Sequence, residues 1–225
     1  MELTEKALTV LKNFATINPN IVLTQGNTIK TISEAKNVLA TASLDVEFPK
    51  TVGIYDLNEF LSVLSLIDSP LLSFSDDNYV KISDLSLRTQ VKYFYSDISM
   101  LTVPSKDIIM PEAEVTFTLD RDTLSRVKRA ASVLGHTEMS LSVVDGALEL
   151  RVIDHNDPTS NAYSTLVQGT FKDPNFNFVF NISNLKMVEG DYQVDISSKL
   201  ISQFTNETAG IKYWVALEKN STYGE

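Results

Sequence analysis

The feature that most constrains this chain is internal: one order of elements is written twice along its 225 residues. Each half reads as an amphipathic helix, hairpin strands, a short capped helix and further strands. Leu8, Leu11, Lys12 and Ala15 recur at one constant offset as Leu124, Val127, Lys128 and Ala131, preserving an apolar stripe together with an exposed lysine. Tyr55, Asp56 and Leu57 recur as Phe180, Asn181 and Ile182, and Phe60 is answered by Leu185, so a capping residue travels with its flanking apolar positions. A chain that repeats itself in this way is expected to fold as two similar α+β domains, each with helices on one face of an antiparallel sheet. Such sheets leave unpaired outer edges. A head-to-tail contact between opposite edges of successive subunits would satisfy them, and it closes into a ring where the rotation permits.

In the first half, residues 4–16 set Leu3, Ala7, Val10, Leu11 and Phe14 on one side and Lys6, Thr9, Lys12 and Asn13 on the other, the period of a helix ended by Asn18-Pro19-Asn20. Strands are expected at 21–23, 28–32 and 43–48, the first two joined by a turn at Gln25-Gly26-Asn27. Asp56 with Glu59 predicts a capping box, and Tyr55 with Phe60 a staple across it. The helix that follows has Leu57, Phe60, Leu61, Leu64 and Ile67 as its apolar face. Strands at 71–75, 79–82 and 90–95 come next, with a tight turn at Asp76-Asp77-Asn78.

Periodicity lapses over residues 97–114, where Pro104 and Pro111 exclude a helix or a central strand. This is the expected linker between domains of residues 1–110 and 111–225. Ile98, Met100, Leu101, Ile108, Ile109 and Met110 make it more apolar than a solvated loop, which fits either a buried strap or a docking groove. Beyond it, Asp120 and Gly135 bracket a third helix with Leu124, Val127, Ala131 and Leu134 as its stripe. A hairpin is expected at 140–144 and 147–153 around Asp145-Gly146. Strands at 163–171 and 177–180 then lead to a short fourth helix at 181–188, stopped by Gly190, and to strands at 192–196 and 211–217.

Composition narrows the function. No stretch approaches the roughly 20 apolar residues of a membrane span, and the first residues lack a secretory signal. Cys is absent, which removes disulfides and thiolate chemistry and fits a reducing cytoplasm. The net charge of −10 repels phosphate on average, so the position of the cations decides the matter. They gather on helices. Between Asp120 and His136, Arg121, Arg126, Lys128 and Arg129 stand against Asp120 and Asp122, and the first helix adds Lys6 and Lys12. Taken alone, this is a solvated helix face. His136 and His155 are the only imidazoles and stand in no metal or triad spacing. The run Asp154-His155-Asn156-Asp157-Pro158 predicts a polar turn. With no phosphate-cradling glycine motif either, no catalytic residue, metal or cofactor is expected, and ATP use would belong to a partner.

Leu11-Lys12-Asn13-Phe14-Ala15-Thr16-Ile17-Asn18, Ile54-Tyr55-Asp56-Leu57-Asn58 with Phe60-Leu61, and Val215-Ala216-Leu217-Glu218 together resemble the sliding clamps of T-even-type bacteriophages. The resemblance is strongest over the first 70 residues. It implies a homotrimeric ring of clamp-fold domains around double-stranded DNA, without sequence preference, in the infected bacterial cytoplasm. Antiparallel sheets would lie outside and helices would line the interior, turning Lys6, Lys12, Arg121, Arg126, Lys128 and Arg129 toward DNA, with Lys186 of the fourth helix as a further contact. The implied partners are the replicative DNA polymerase, an ATP-driven clamp loader and late transcription factors. Their peptides would dock near Ile98, Met100, Leu101, Ile108 and Ile109. A β-rich viral structural or assembly protein, with an incidental basic helix, is the competing class.

Overall fold

The computed structural model describes residues 1–224 other than Asn156 and Pro158. The chain divides into two compact units, Met1–Lys106 and Asp107–Glu225.

The first unit runs α1 (Glu5–Ile17), β1 (Ile21–Leu23), β2 (Gly26–Ile32), β3 (Val38–Phe48), β4 (Val52–Ile54), α2 (Leu57–Leu64), β5 (Leu71–Ser73), β6 (Tyr79–Ser83) and β7 (Gln90–Phe94). All its pairings are antiparallel: β1 with β4, β2 with β3, and β5, β6 and β7 in succession. Helix α1 buries Ala7, Val10, Leu11, Phe14, Ala15 and Ile17, the stripe its sequence announces. Each larger side chain among them contributes about 1.5–3 kcal/mol by leaving water.

The second unit runs β8 (Val115–Leu119), α3 (Arg121–Leu134), β9 (Glu138–Val144), β10 (Ala147–Ile153), β11 (Tyr163–Val167), β12 (Gly169–Phe171), β13 (Phe176–Asn181), β14 (Tyr192–Ser197), β15 (Ile201–Asn206), β16 (Ile211–Ala216) and β17 (Thr222–Tyr223). One sheet has the order β11-β10-β9-β13-β17, and in a second β12, β8, β14, β15 and β16 follow one another.

The repeat goes deeper than the sequence suggests. In the second unit β8 leads into α3 yet pairs with β14, and β13 leads into the next turn yet pairs with β9. In the first unit Glu2, ahead of α1, bridges Leu71 of β5, while β4, ahead of α2, pairs with β1. Each unit is therefore two motifs that exchange their leading strands.

Four expectations are corrected. Residues 181–188 form no α-helix but a single 3-10 turn, Ile182–Asn184. Asn181 accepts from both the amide and the hydroxyl of Ser183, closing the turn early. Leu185 and Met187 are buried on either side of exposed Lys186, a period of two. The expected strand at 163–171 is two strands in two sheets, parted at Gln168. Gly169 makes the crossing possible, since a Cβ there would lie 2.3 Å from the Thr116 carbonyl oxygen and 2.6 Å from Phe117 Cβ. Tyr55 is 65% exposed and staples nothing. Instead the fully buried Phe60 meets Tyr93 edge-on at 5.2 Å, and the Tyr93 hydroxyl donates to the Asp56 carbonyl at 2.9 Å. Finally, the turn expected at Gln25-Gly26-Asn27 falls largely within β2, which begins at Gly26, and β1 and β2 pair elsewhere rather than with each other.

Candidate nucleic-acid interface

Helix α3 carries four of the seven expected cations, and its ends are set by local chemistry. Asp120 accepts from the Thr123 amide at 2.7 Å and from its hydroxyl at 2.8 Å, bonds that hold the Asp120 carboxyl below the usual carboxylate range. Gly135 closes the other end in the left-handed conformation at φ 73°, open to glycine without cost. Thr123, Leu124, Val127 and Ala131 are buried, while Arg121, Arg126 and Arg129 are exposed and Lys128 is half-buried. Burial lowers the Lys128 pKa, and Glu189 opposes the shift.

Helix α1 is built in the same way. Thr4 caps it by accepting from the Ala7 amide at 3.1 Å, with Lys12 exposed and Lys6 half-buried on its polar side. Lys186 is exposed but stands on extended chain rather than on a helix.

Two acidic residues at this surface were not read from the sequence. Glu189 meets the Arg121 guanidinium at 2.5 Å, and Asp191 accepts from the Arg121 amide at 2.8 Å. A cavity of about 300 Å³ opens between Arg121, Ser125, Lys128, Met187 and Glu189. Glu189 and Asp191 are legible in Val188-Glu189-Gly190-Asp191, but no local pattern sets them against Arg121.

The strap after β7 belongs to the first unit as far as Lys106, and Ile108 and Ile109 fall in the second. Buried Asn18 donates to the Ile32 carbonyl at 2.7 Å and the Thr102 carbonyl at 3.4 Å, and Asn20 accepts from the Thr102 amide at 3.1 Å. Beside the strap a mainly apolar groove of about 370 Å³ is lined by Val22, Thr24, Thr28, Lys30, Ile98, Val103 and Pro104. Of the expected pocket residues, Ile98 lines this groove. Leu101 is buried beneath the strap, Ile108 is half-buried, and Met100 and Ile109 are 72% and 89% exposed.

The histidines stand apart. His136 Nε2 lies 2.7 Å from the Asn161 carbonyl oxygen and His155 Nε2 lies 3.7 Å from Glu138. The Asp157 amide donates to the Asp154 carbonyl at 3.3 Å, as a turn requires; Asn156 and Pro158 of that run lie outside the described residues. Among the described residues no three His, Asp or Glu side chains gather as a metal site.

Residues 4–95 match the family described as DNA polymerase processivity factor, and residues 116–219 the family described as gp45 sliding clamp, C terminal. The sliding clamp of Escherichia phage RB69 is 31% identical over 230 residues, covering 99% of each chain. The chain belongs to the phage sliding clamp family. The sliding clamp of Enterobacteria phage T4 is similar at 32% identity, again over 99% of both chains. Among solved structures, proliferating cellular nuclear antigen from Entamoeba histolytica superposes with a TM-score of 0.69 at 14% identity, covering 96% of this chain and 97% of that one. A. fulgidus PCNA bound to the C-terminal region of FEN-1 gives 0.70 at 13% identity, covering 96% of each. At these identities the likeness establishes the clamp fold, two domains of mostly antiparallel sheet. Both family matches stop at the edges of residues 96–115, the stretch where periodicity lapses in the sequence.

Proposed function

We propose that three copies of this chain close head to tail into a ring around duplex DNA and tether the replicative DNA polymerase for processive synthesis. The observation that carries this reading is the cationic face of α3 in an otherwise acidic member of the sliding clamp family. Arg126, Lys128 and Arg129, with Arg121, Lys6, Lys12 and Lys186, would face the phosphates. Each neutralised phosphate steepens salt dependence, so a sparse lining lets the ring slide while its closed topology prevents escape. Exterior acidity keeps DNA off the wrong surface. On this reading the chain is a tether with no turnover of its own.

Two edge strands suit the ring contact. β7 ends the three-stranded sheet β5-β6-β7 of the first unit and β11 a sheet of the second, each five residues long, and each presents an apolar side chain 65% exposed, Phe94 and Leu166. Partner peptides would dock in the groove at Ile98, Val103 and Pro104, rather than centring on Met100 and Ile109. The PCNA neighbour solved with the C-terminal region of FEN-1 bound supports docking of a partner's chain segment here. The same groove would serve an ATP-driven clamp loader and late transcription factors in the infected cytoplasm.

The test combines the triple variant Arg126→Glu, Lys128→Glu, Arg129→Glu with primer extension by the cognate polymerase and loader. Processivity should fall to that of polymerase alone while the ring stays intact by light scattering. Undiminished product length would remove α3 as the DNA face.

A further inference from the structure

The α3 surface is not uniformly free to meet phosphate. Glu189 holds the Arg121 guanidinium at 2.5 Å, and the two side chains remain 65% and 77% exposed, so solvent screens the pair and DNA can break it. Glu189 also flanks the cavity that Lys128 lines.

Its position is fixed from beneath. The Tyr192 hydroxyl donates to the Val188 carbonyl at 2.5 Å, the Val188 amide donates to the Tyr213 hydroxyl at 3.1 Å, and both rings are buried. On the other side Gly190 has φ 156°, and a Cβ there would lie 2.3 Å from Asn206 Nδ2. Buried groups thus anchor both neighbours of an exposed acid that faces cations.

We propose that Glu189 is a built-in competitor for the phosphate backbone, occupying Arg121 and drawing on Lys128 so that α3 presents a weakened cationic face to duplex DNA. It acts as a positioning residue that sets how lightly the ring rides. This rests on the DNA-facing reading of α3. In that setting a phosphate and the Glu189 carboxylate exchange on the same guanidinium, and passage from one phosphate to the next does not strand a charge.

The test is the binding of fluorescent duplex DNA to the intact protein across a salt series. Glu189→Gln should tighten binding several-fold at low salt and steepen the log–log salt slope by about one, the value for a further phosphate contact. Arg121→Gln added to Glu189→Gln should abolish the gain. Asp145→Asn removes the same formal charge at the β9–β10 turn, where Asn-Gly is well suited, and should leave the slope unchanged. If Glu189→Gln matches the parent slope while the α3 triple reversal weakens binding, the competitor role is overturned and the DNA face stands. If the triple reversal also leaves binding unchanged, both are overturned.

Discussion

The Tyr192 hydroxyl donates to the backbone carbonyl of Val188 at 2.5 Å from within the core of the second unit. Burial pushes the Tyr192 phenol up to about 12 and raises that of Tyr213 as well. A phenol whose pKa is higher in the folded chain contributes stability that is complete below its unfolded value near 10 and is lost as pH rises through the folded value. Stability should therefore fall between about pH 10 and pH 12, read by chemical denaturation along a pH series. Tyr192→Phe leaves the Val188 carbonyl without this donor and should cost about 1–3 kcal/mol at neutral pH. It should also shallow the alkaline decline.

Thr4 and Asp120 stand at the offset that relates the two halves and cap α1 and α3 alike. Asp120→Ala should lose about 1 kcal/mol at pH 7, and Thr4→Ala a comparable amount. The two differ with acid. The Asp120 carboxyl is held below its ordinary value, so its contribution is present above about 3.8 and disappears as pH falls through the folded pKa. The Thr4 cap is an uncharged hydroxyl that also donates to Asp45 at 2.6 Å, so Thr4→Ala removes that bond along with the cap and takes away no charge. Denaturant midpoints at pH 7 and pH 3 for both variants check this.

Much of this fold was legible because its signals are local. The ends of α3 follow from Asp120 and Gly135, and the β9–β10 turn from Asp145-Gly146, residues whose chemistry dictates the backbone within a few positions. What escaped depends on distant partners. β15 was missed because Ser202, Thr205 and Asn206 are polar yet buried: Ser202 donates to the Val215 carbonyl at 2.8 Å across the sheet, Thr205 accepts from Gln203 along the strand, and Asn206 accepts from the Ala209 amide in the following turn. The cations of the candidate site could be read as the polar side of a helix, whereas Glu189 reaches Arg121 across 68 residues and no local pattern announces it. In the groove, Ile98 was found from the strap's own apolarity, but Thr28 and Lys30 come from β2 and needed the tertiary fold.

The edge strands make a separate demand on assembly. Phe94→Asp or Leu166→Asp places a charge on an exposed strand edge without touching either core, so each unit should keep its fold. If three copies form the proposed ring, sedimentation should then show a shift from trimer toward monomer, with far-ultraviolet circular dichroism unchanged. A full-size trimer in both variants would move the subunit contact elsewhere.

Encirclement is tested most directly by topology. On the proposed reading an ATP-driven loader places the protein on nicked circular DNA, which is washed in high salt and followed after the circle is cut once. A ring held by closure should survive the wash on the circle, where screened charges cannot retain it, and leave promptly from the free ends after cutting. Release from intact circles at the rate seen on linear DNA would contradict it.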